Sequence, residues 1–420
     1  MKRLIFAALF LVYANADVLT LRECVEKTIS SHPDIKSFVL KDMLSKEELK
    51  SQKAFKYPQV EVHAQYDPVK TFTFSRNGRF DSKNDSFWEA GVSIREKLWD
   101  FKKTDSKIKA AKISKEISKL SLKDIENLIS YKVKSLYLQL IFYKKAIEVR
   151  KKDVEAKKAF YERAKALEKR GLKTKADSYR FLAALYKAKD ILNSTKNSFL
   201  KTKRSLELYM GEKIPDNVDL EENLLLEDEK LSFEDVKNRL LKENLSLKEA
   251  QKEIDKSIYL YKSAKAEKYG SLDLSASYSR IDALFEYDSY FAGVFYSVPI
   301  FTGGRLNAIK QKAKISQMIS KERLESKKRE LLDELQSLFL DIDSLNSTIK
   351  ARLMEAEALK KSAKIVNARY KEGLSTYMEV LDAEALLADS ALSVLQARFE
   401  RKVKEYRIKY LIGMSDEKMD

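Results

Sequence analysis

Three stretches of this chain, Lys102 to Arg170, Arg305 to Glu372 and Leu374 to Ile412, contain neither glycine nor proline. Apolar residues recur in them every three or four positions. Leu122, Ile125, Ile129, Val133, Leu136, Leu140, Tyr143 and Ile147 form one unbroken stripe, the pattern of an amphipathic helix with one packed face. At 1.5 Å per residue the first stretch predicts a helix of roughly 100 Å. No ordinary globular domain accommodates such an element. Two single glycines punctuate these patterns, Gly171 and Gly373, and each reads as the turn of a helical hairpin.

The two turns lie 202 residues apart, and the same offset places Ala90-Gly91-Val92 on Ala292-Gly293-Val294 and Ala111-Lys112-Ile113-Ser114 on Ala313-Lys314-Ile315-Ser316. Further upstream an offset of 212 holds, setting Tyr57 on Tyr269 and Tyr66 on Tyr278. The chain is therefore expected to comprise two tandem repeats, residues 17–220 and 231–414. An acidic linker (221–230) joins them and a short tail (415–420) follows. The change of offset falls between Tyr66 and Ser86, where the first half is expected to carry a longer loop.

Strand signals are confined to two places in each half, about 58–66 and 87–98, then about 271–279 and 289–300. Val60, Val62, Ala64 and Tyr66 alternate with Glu61, His63 and Gln65, and the other three segments alternate likewise. Alternation over about ten residues with aromatics near the ends (Tyr57, Trp88, Trp99, Tyr269, Tyr290) is the pattern of an outer-membrane barrel strand; a half-buried strand of a soluble sheet is the other reading. Four strands cannot close a barrel in lipid, so several chains would have to share one. The fold class expected is mainly α with a small β part. Each half would be a strand hairpin plus a very long helical hairpin, whose return path is two shorter helices stacked end to end. Their breaks, near His32-Pro33, Gly211 to Pro215 and Gly413, would lie at one level beside short helices over Leu19–Ser31 and Ser232–Lys242.

Met1 to Ala16 reads as a secretory signal peptide. Lys2 and Arg3 precede an apolar run from Leu4 to Val12, too short to span a bilayer, and Ala14-Asn15-Ala16 is a small-residue cleavage site. Cys24 is the only cysteine, which leaves no intramolecular disulfide. A net charge of +17 invites a nucleic-acid reading, but the lysines are interspersed with carboxylates at helical spacing, which fits a solvated helix surface better. With His32 and His63 as the only histidines and no nucleophile elbow, phosphate loop or metal-ligand spacing, no catalytic, cofactor or metal site is expected.

The tip sequence Arg369-Tyr-Lys-Glu-Gly-Leu374 followed by Glu379-Val-Leu-Asp-Ala383, and the run Val298-Pro-Ile-Phe-Thr-Gly-Gly-Arg305 before a long helix, resemble the TolC-like outer-membrane efflux proteins. The resemblance covers essentially the whole chain after residue 16. It implies a homotrimer in the outer membrane of a Gram-negative bacterium, a twelve-stranded β-barrel continuing into a twelve-helix periplasmic α-barrel. Such a channel is a passive exit duct of tripartite efflux or type I secretion, working with a periplasmic adaptor and an inner-membrane transporter. Carried over by position, Asp177, Glu379, Asp382 and Tyr370 would form the periplasmic constriction, and Gly171, Leu172, Gly373 and Leu374 the adaptor-docking tips. Ser375 stands where family members can carry a basic partner of the closed state. By spacing alone Glu379 and Asp382 share a helical face, which fits a solvated surface better than a constriction, and the leucines could pack within their own hairpins. A soluble periplasmic coiled-coil scaffold or adaptor explains the helices but not the aromatic-edged strand hairpins.

Overall fold

The computed structural model describes residues 18–76, 78–172, 174–215, 219–225 and 232–414. The signal-peptide reading of residues 1–16, half of the acidic linker (226–230) and the tail at 415–420 lie outside them. In chain order the elements are β1 (Val18–Leu19), α1 (Leu21–Ser31), α2 (Pro33–Ala54), β2 (Gln59–Arg76), β3 (Arg79–Trp99), α3 (Lys103–Lys169), α4 (Lys175–Met210), β4 (Asp219–Leu220), α5 (Phe233–Glu243), α6 (Leu245–Ala266), β5 (Ser271–Asp282), β6 (Glu286–Ser297), α7 (Arg305–Lys371) and α8 (Tyr377–Leu411). The glycine- and proline-free stretches are continuous helices, and α3 and α7 each run for 67 residues. Among the described residues no helix is long and apolar enough to cross a membrane.

The chain forms two compact units. One takes Met1–Lys36, Asp124–Asn244 and Glu330–Asp420, the other Ser37–Lys123 and Leu245–Arg329. Each therefore draws on both sequence halves, because corresponding segments of the halves pack side by side rather than along the chain.

The first unit is helical, and the predicted helix breaks meet in it. At the end of α1 the Ser31 hydroxyl donates to the Met210 carbonyl at 2.7 Å, beside Gly211, which ends α4 with a left-handed backbone. Between α5 and α6 the Asn244 amide donates to Leu411 O at 2.8 Å, and Gly413 passes close to Glu243 O. A short parallel pair, β1 with β4, was not anticipated. Tyr137 of α3 holds it in place: its fully buried hydroxyl donates to Leu19 O at 2.5 Å and accepts from Glu221 N at 2.9 Å. Cys24 is fully buried nearby, and burial pushes its thiol up to about 12, so it is inert as a nucleophile.

The second unit carries the antiparallel sheet, in the order β2-β3-β5-β6. The first hairpin is longer than predicted. Residues 67–85 are not a loop, because β2 and β3 stay paired from Lys70↔Asp85 to Arg76↔Arg79, past an irregularity after Asp67 that accommodates Pro68. The β-branched and aromatic alternation Thr71-Phe72-Thr73-Phe74 favours the extended backbone, a signal hidden by the charges on the opposite strand.

Candidate functional site

Two places stand out, the helical tips and the sheet. Both tips end their first helix in the same way. Gly171 and Gly373 adopt φ of 71° and 79°, a left-handed backbone that glycine enters without a Cβ penalty. Around each, two backbone bonds close a Schellman motif: Gly171 N to Glu168 O and Leu172 N to Leu167 O, then Gly373 N to Tyr370 O and Leu374 N to Arg369 O. The leucine after each glycine normally covers the last helical turn. Here Leu172 and Leu374 are each 67% exposed.

Three residues past each glycine a threonine caps the returning helix, Thr174 for α4 and Thr376 for α8. Asp177 closes a capping box, its Oδ2 accepting from Thr174 N at 3.2 Å and Oγ1 at 3.0 Å. Glu379 occupies the same helical position, and its backbone N–H donates to Thr376 Oγ1 at 3.3 Å. The carboxylates of Glu379 and Asp382 have no hydrogen bond or ion pair among the described residues. The acidic residues of the tips thus have unequal surroundings: Asp177 is committed to a cap, while Glu379 and Asp382 are free to face a partner or an ion. The spacing Thr-x-x-Asp is the sequence signal from which that cap was legible.

Tyr370 is 5% exposed, its ring packed against residues of its own chain. It sits in a small core made by one residue from each of four helices, Ala164, Phe181, Tyr370 and Val380. Phe181 is the hub, with ring centroids 6.0 Å from Phe160, 6.1 Å from Tyr370 and 6.0 Å from Tyr377. Burial raises the Tyr370 hydroxyl pKa, and the nearby Asp177 charge raises it further against the pull of Arg163. Ser375 is buried as well, while Arg369 reaches forward to donate to the Leu374 carbonyl at 3.2 Å. The structure therefore brings Asp177 and Tyr370 together and leaves the carboxylates of Glu379 and Asp382 outside that cluster.

On the sheet, register sorts the side chains by face. Val60, Val62, Ala64 and Tyr66 share one face with Trp88, Ala90, Val92 and Ile94, and with the apolar residues of β5 and β6 from Leu272 to Tyr278 and Tyr290 to Tyr296. This apolar face is bare: Val60 is 64%, Val62 80% and Tyr290 76% exposed. Aromatic residues bound it, Tyr66, Trp88, Tyr278 and Tyr290 at one end and Trp99, Tyr269 and Tyr296 at the other. The opposite face carries Glu61, His63, Glu89, Arg95, Ser277 and Ser279. His63 is half-buried there with Nε2 3.5 Å from Glu89 Oε1 and 3.4 Å from Ser279 Oγ, in space that Gly91 leaves open. Both outer strands, β2 and β6, keep one edge unpaired among the described residues. The sheet thus combines a bare apolar face, aromatics at both of its ends and two edges unpaired among the described residues. Among the described residues no three histidine, cysteine, aspartate or glutamate side chains are grouped to hold a metal ion.

Residues 236–414 match the family model "Outer membrane efflux protein". Over that stretch the chain is similar to outer-membrane efflux proteins. Among relatives, the outer membrane protein TolC of Salmonella enteritidis is 29% identical over 125 residues, covering 30% of this chain and 26% of that protein. TolC of Escherichia coli K12 is 28% identical over 200 residues, covering 43% of this chain and 41% of that protein. These alignments take in well under half the length of the curated relatives. The fold match is wider: a crystal structure of CusC superposes with a TM-score of 0.80 at 17% identity, over 97% of this chain and 96% of that one. The chain thus shares the fold of that structure over nearly its whole length.

Proposed function

We propose that this chain is the outer-membrane exit duct of a tripartite efflux or type I secretion system, a passive homotrimeric conduit. Three copies would contribute four strands each to a twelve-stranded barrel, with the apolar face in lipid and the polar face lining the lumen. The helices would continue as a periplasmic α-barrel. The observation that carries this reading is the bare, aromatic-bounded apolar face on a sheet whose two edges are unpaired. In water such a face would be an aggregation hazard; in lipid, closed by neighbouring copies, it satisfies every backbone group. The soluble scaffold alternative offers no use for it.

At the tips, Glu379 and Asp382 are the candidates for the constriction. Brought to a threefold axis, two free carboxylates per copy would concentrate cations at the mouth. Asp177 and Tyr370 would act behind them, holding the two hairpins of one copy together. Purified protein in planar bilayers should conduct, and a trivalent cation added from the periplasmic side should block it. In the Glu379→Gln/Asp382→Asn protein the blocking concentration should rise by at least about tenfold, as expected for the loss of paired charges. Unchanged block removes these residues from the constriction, and recovery of the protein from the soluble periplasm removes the duct reading altogether.

Leu172 and Leu374 are the matching candidates for adaptor contact, since both are exposed where the turn geometry would ordinarily tuck them away. Leu172→Asp/Leu374→Asp should leave trimer yield unchanged and abolish crosslinking to the periplasmic adaptor. Crosslinking at wild-type level in an intact trimer places docking elsewhere.

A further inference from the structure

Over residues 59–65, 89–97 and 271–279 the face of the sheet opposite the apolar one carries no large apolar side chain, whereas β6 does there. Register places Phe291 opposite Ser277 and Phe295 opposite Asp273, on the polar side. The two rings lie 5.3 Å apart and remain 45% exposed each. Gly293 between them carries no side chain, and a Cβ there would come within 3.3 Å of Phe291 and 3.4 Å of Phe295. The rings thus fold over a backbone that leaves them room.

They form one wall of an open cavity of about 670 Å³, with Phe55, Tyr57, Arg95 and Lys97 on the other side. That volume lies within the roughly 300–1,000 Å³ of small-molecule sites. Arg95 and Lys97 have no ion pair among the described residues. Asp273, the one carboxylate of the lining, already accepts from Ser271 Oγ at 2.6 Å. Two uncommitted cations and four exposed aromatic rings therefore line a space large enough for a bicyclic molecule.

We propose that this cavity is a transit site for amphipathic aromatic anions, molecules with a flat apolar body and a sulfonate or carboxylate group. The rings take the body by stacking, and Arg95 and Lys97 take the anionic group. The proposal rests on the lumen-facing assignment above and names a substrate class for it. Such a site holds its ligand weakly enough to release it.

The test uses the full-length protein in phosphatidylcholine nanodiscs, or in buffer if it is recovered soluble, with empty nanodiscs as control. Equilibrium dialysis compares 1-naphthalenesulfonate with 1-naphthylmethylammonium, of the same shape and opposite charge. The sulfonate should bind at least about tenfold more tightly, a difference that one well-placed charge contact supplies. Arg95→Gln/Lys97→Gln should erase the preference, and Phe291→Ser/Phe295→Ser should weaken both probes. Equal affinity for the two probes, or affinities indifferent to both double variants, overturns the site. If the phenylalanine variant loses trimers while Arg95→Gln/Lys97→Gln binds as the wild type does, the rings belong to a contact between copies and the site is again overturned. Bilayer recordings separate this from the duct itself. Binding by a protein that does not conduct sinks the duct and spares the site, whereas a conducting protein that does not bind the sulfonate sinks the site and spares the duct.

Discussion

Gly270→Ala should give a protein that fails to hold its β5–β6 hairpin and reaches the membrane poorly, if at all. Gly270 joins the end of α6 to β5 with φ 74° and ψ −153°, a backbone region open essentially to glycine alone. A Cβ built there would lie 1.8 Å from Ser297 O, 2.8 Å from Ser297 C and 2.9 Å from Val298 Cα. All three are backbone atoms at the end of β6, so no side chain can rotate away. The strand pairing begins at that point, with Ser271 opposite Ser297, and the Tyr296 hydroxyl donates to Tyr269 O at 3.0 Å just outside it. Relief would require unzipping the base of the hairpin. The disallowed backbone costs about 1–3 kcal/mol by itself, and the clash adds to it. Gly171→Ala is the control: its φ is also positive, but nothing lies within 4 Å of the place its Cβ would take, so the loss should stay near about 1 kcal/mol. Thermal unfolding of the assembled protein followed by circular dichroism separates the two. A Gly270→Ala protein that melts with the Gly171→Ala protein would overturn the argument.

The second large effect is expected at the tips. Phe181→Ala removes a fully buried ring that touches aromatic partners from α3, α7 and α8, and nothing nearby can collapse into the space without moving a helix. The cost should be about 3–5 kcal/mol. Because the cluster ties one hairpin to the other at their ends, the loss should appear as local opening rather than global unfolding. Limited trypsin digestion reads this directly, since Lys169, Arg170 and Lys371 flank the two glycine turns. Cleavage there should speed up markedly in Phe181→Ala, with the sheet untouched. Tyr179→Ala, at an exposed position two residues away, should digest as the wild type does. Equal cleavage rates in both variants would mean that Phe181 does not hold the hairpins together.

How much was legible in advance differs by element. The long helices were, since a 67-residue helix needs only an unbroken apolar stripe and the absence of glycine and proline, both local properties. The strand faces were legible for the same reason, because period-two alternation fixes the face of every residue once the backbone is extended. The upper half of the first hairpin was missed, as Asp81-Ser82-Lys83-Asn84-Asp85 has the composition of a loop and is held extended only by Phe72, Thr73 and their neighbours across the ladder. The link from β3 to α3 was equally hidden. Phe101 and Lys102 take left-handed backbones, φ 55° and 66°, at the positions that the 202-residue offset sets on Gly303 and Gly304. Non-glycine residues rarely do so, and here the Phe101 ring is anchored between Trp99 and Tyr269, with centroids at 6.3 and 5.3 Å.

At the candidate site the division is sharper. The turn glycines, the exposed leucines and the paired acids could all be placed by reading along one helix at a time. What could not be read was which of those residues would be spent on packing. Tyr370 shares its helical face with Val366 and Ala363, and that face turns toward Phe181 only because a second hairpin lies against it. Asp177 and Glu379 occupy the same helical position, yet only the aspartate closes its capping box. The sequence alone determined where the long helices and the alternating parts of the four long strands run, because backbone periodicity and chain breakers act over a few residues. Only the tertiary structure decided that Tyr370 is core, that Glu379 and Asp382 stay free, and that two phenylalanines of β6 line one cavity with Arg95 and Lys97. Those outcomes depend on which distant segments meet, and no local pattern encodes a neighbour supplied from elsewhere in the chain.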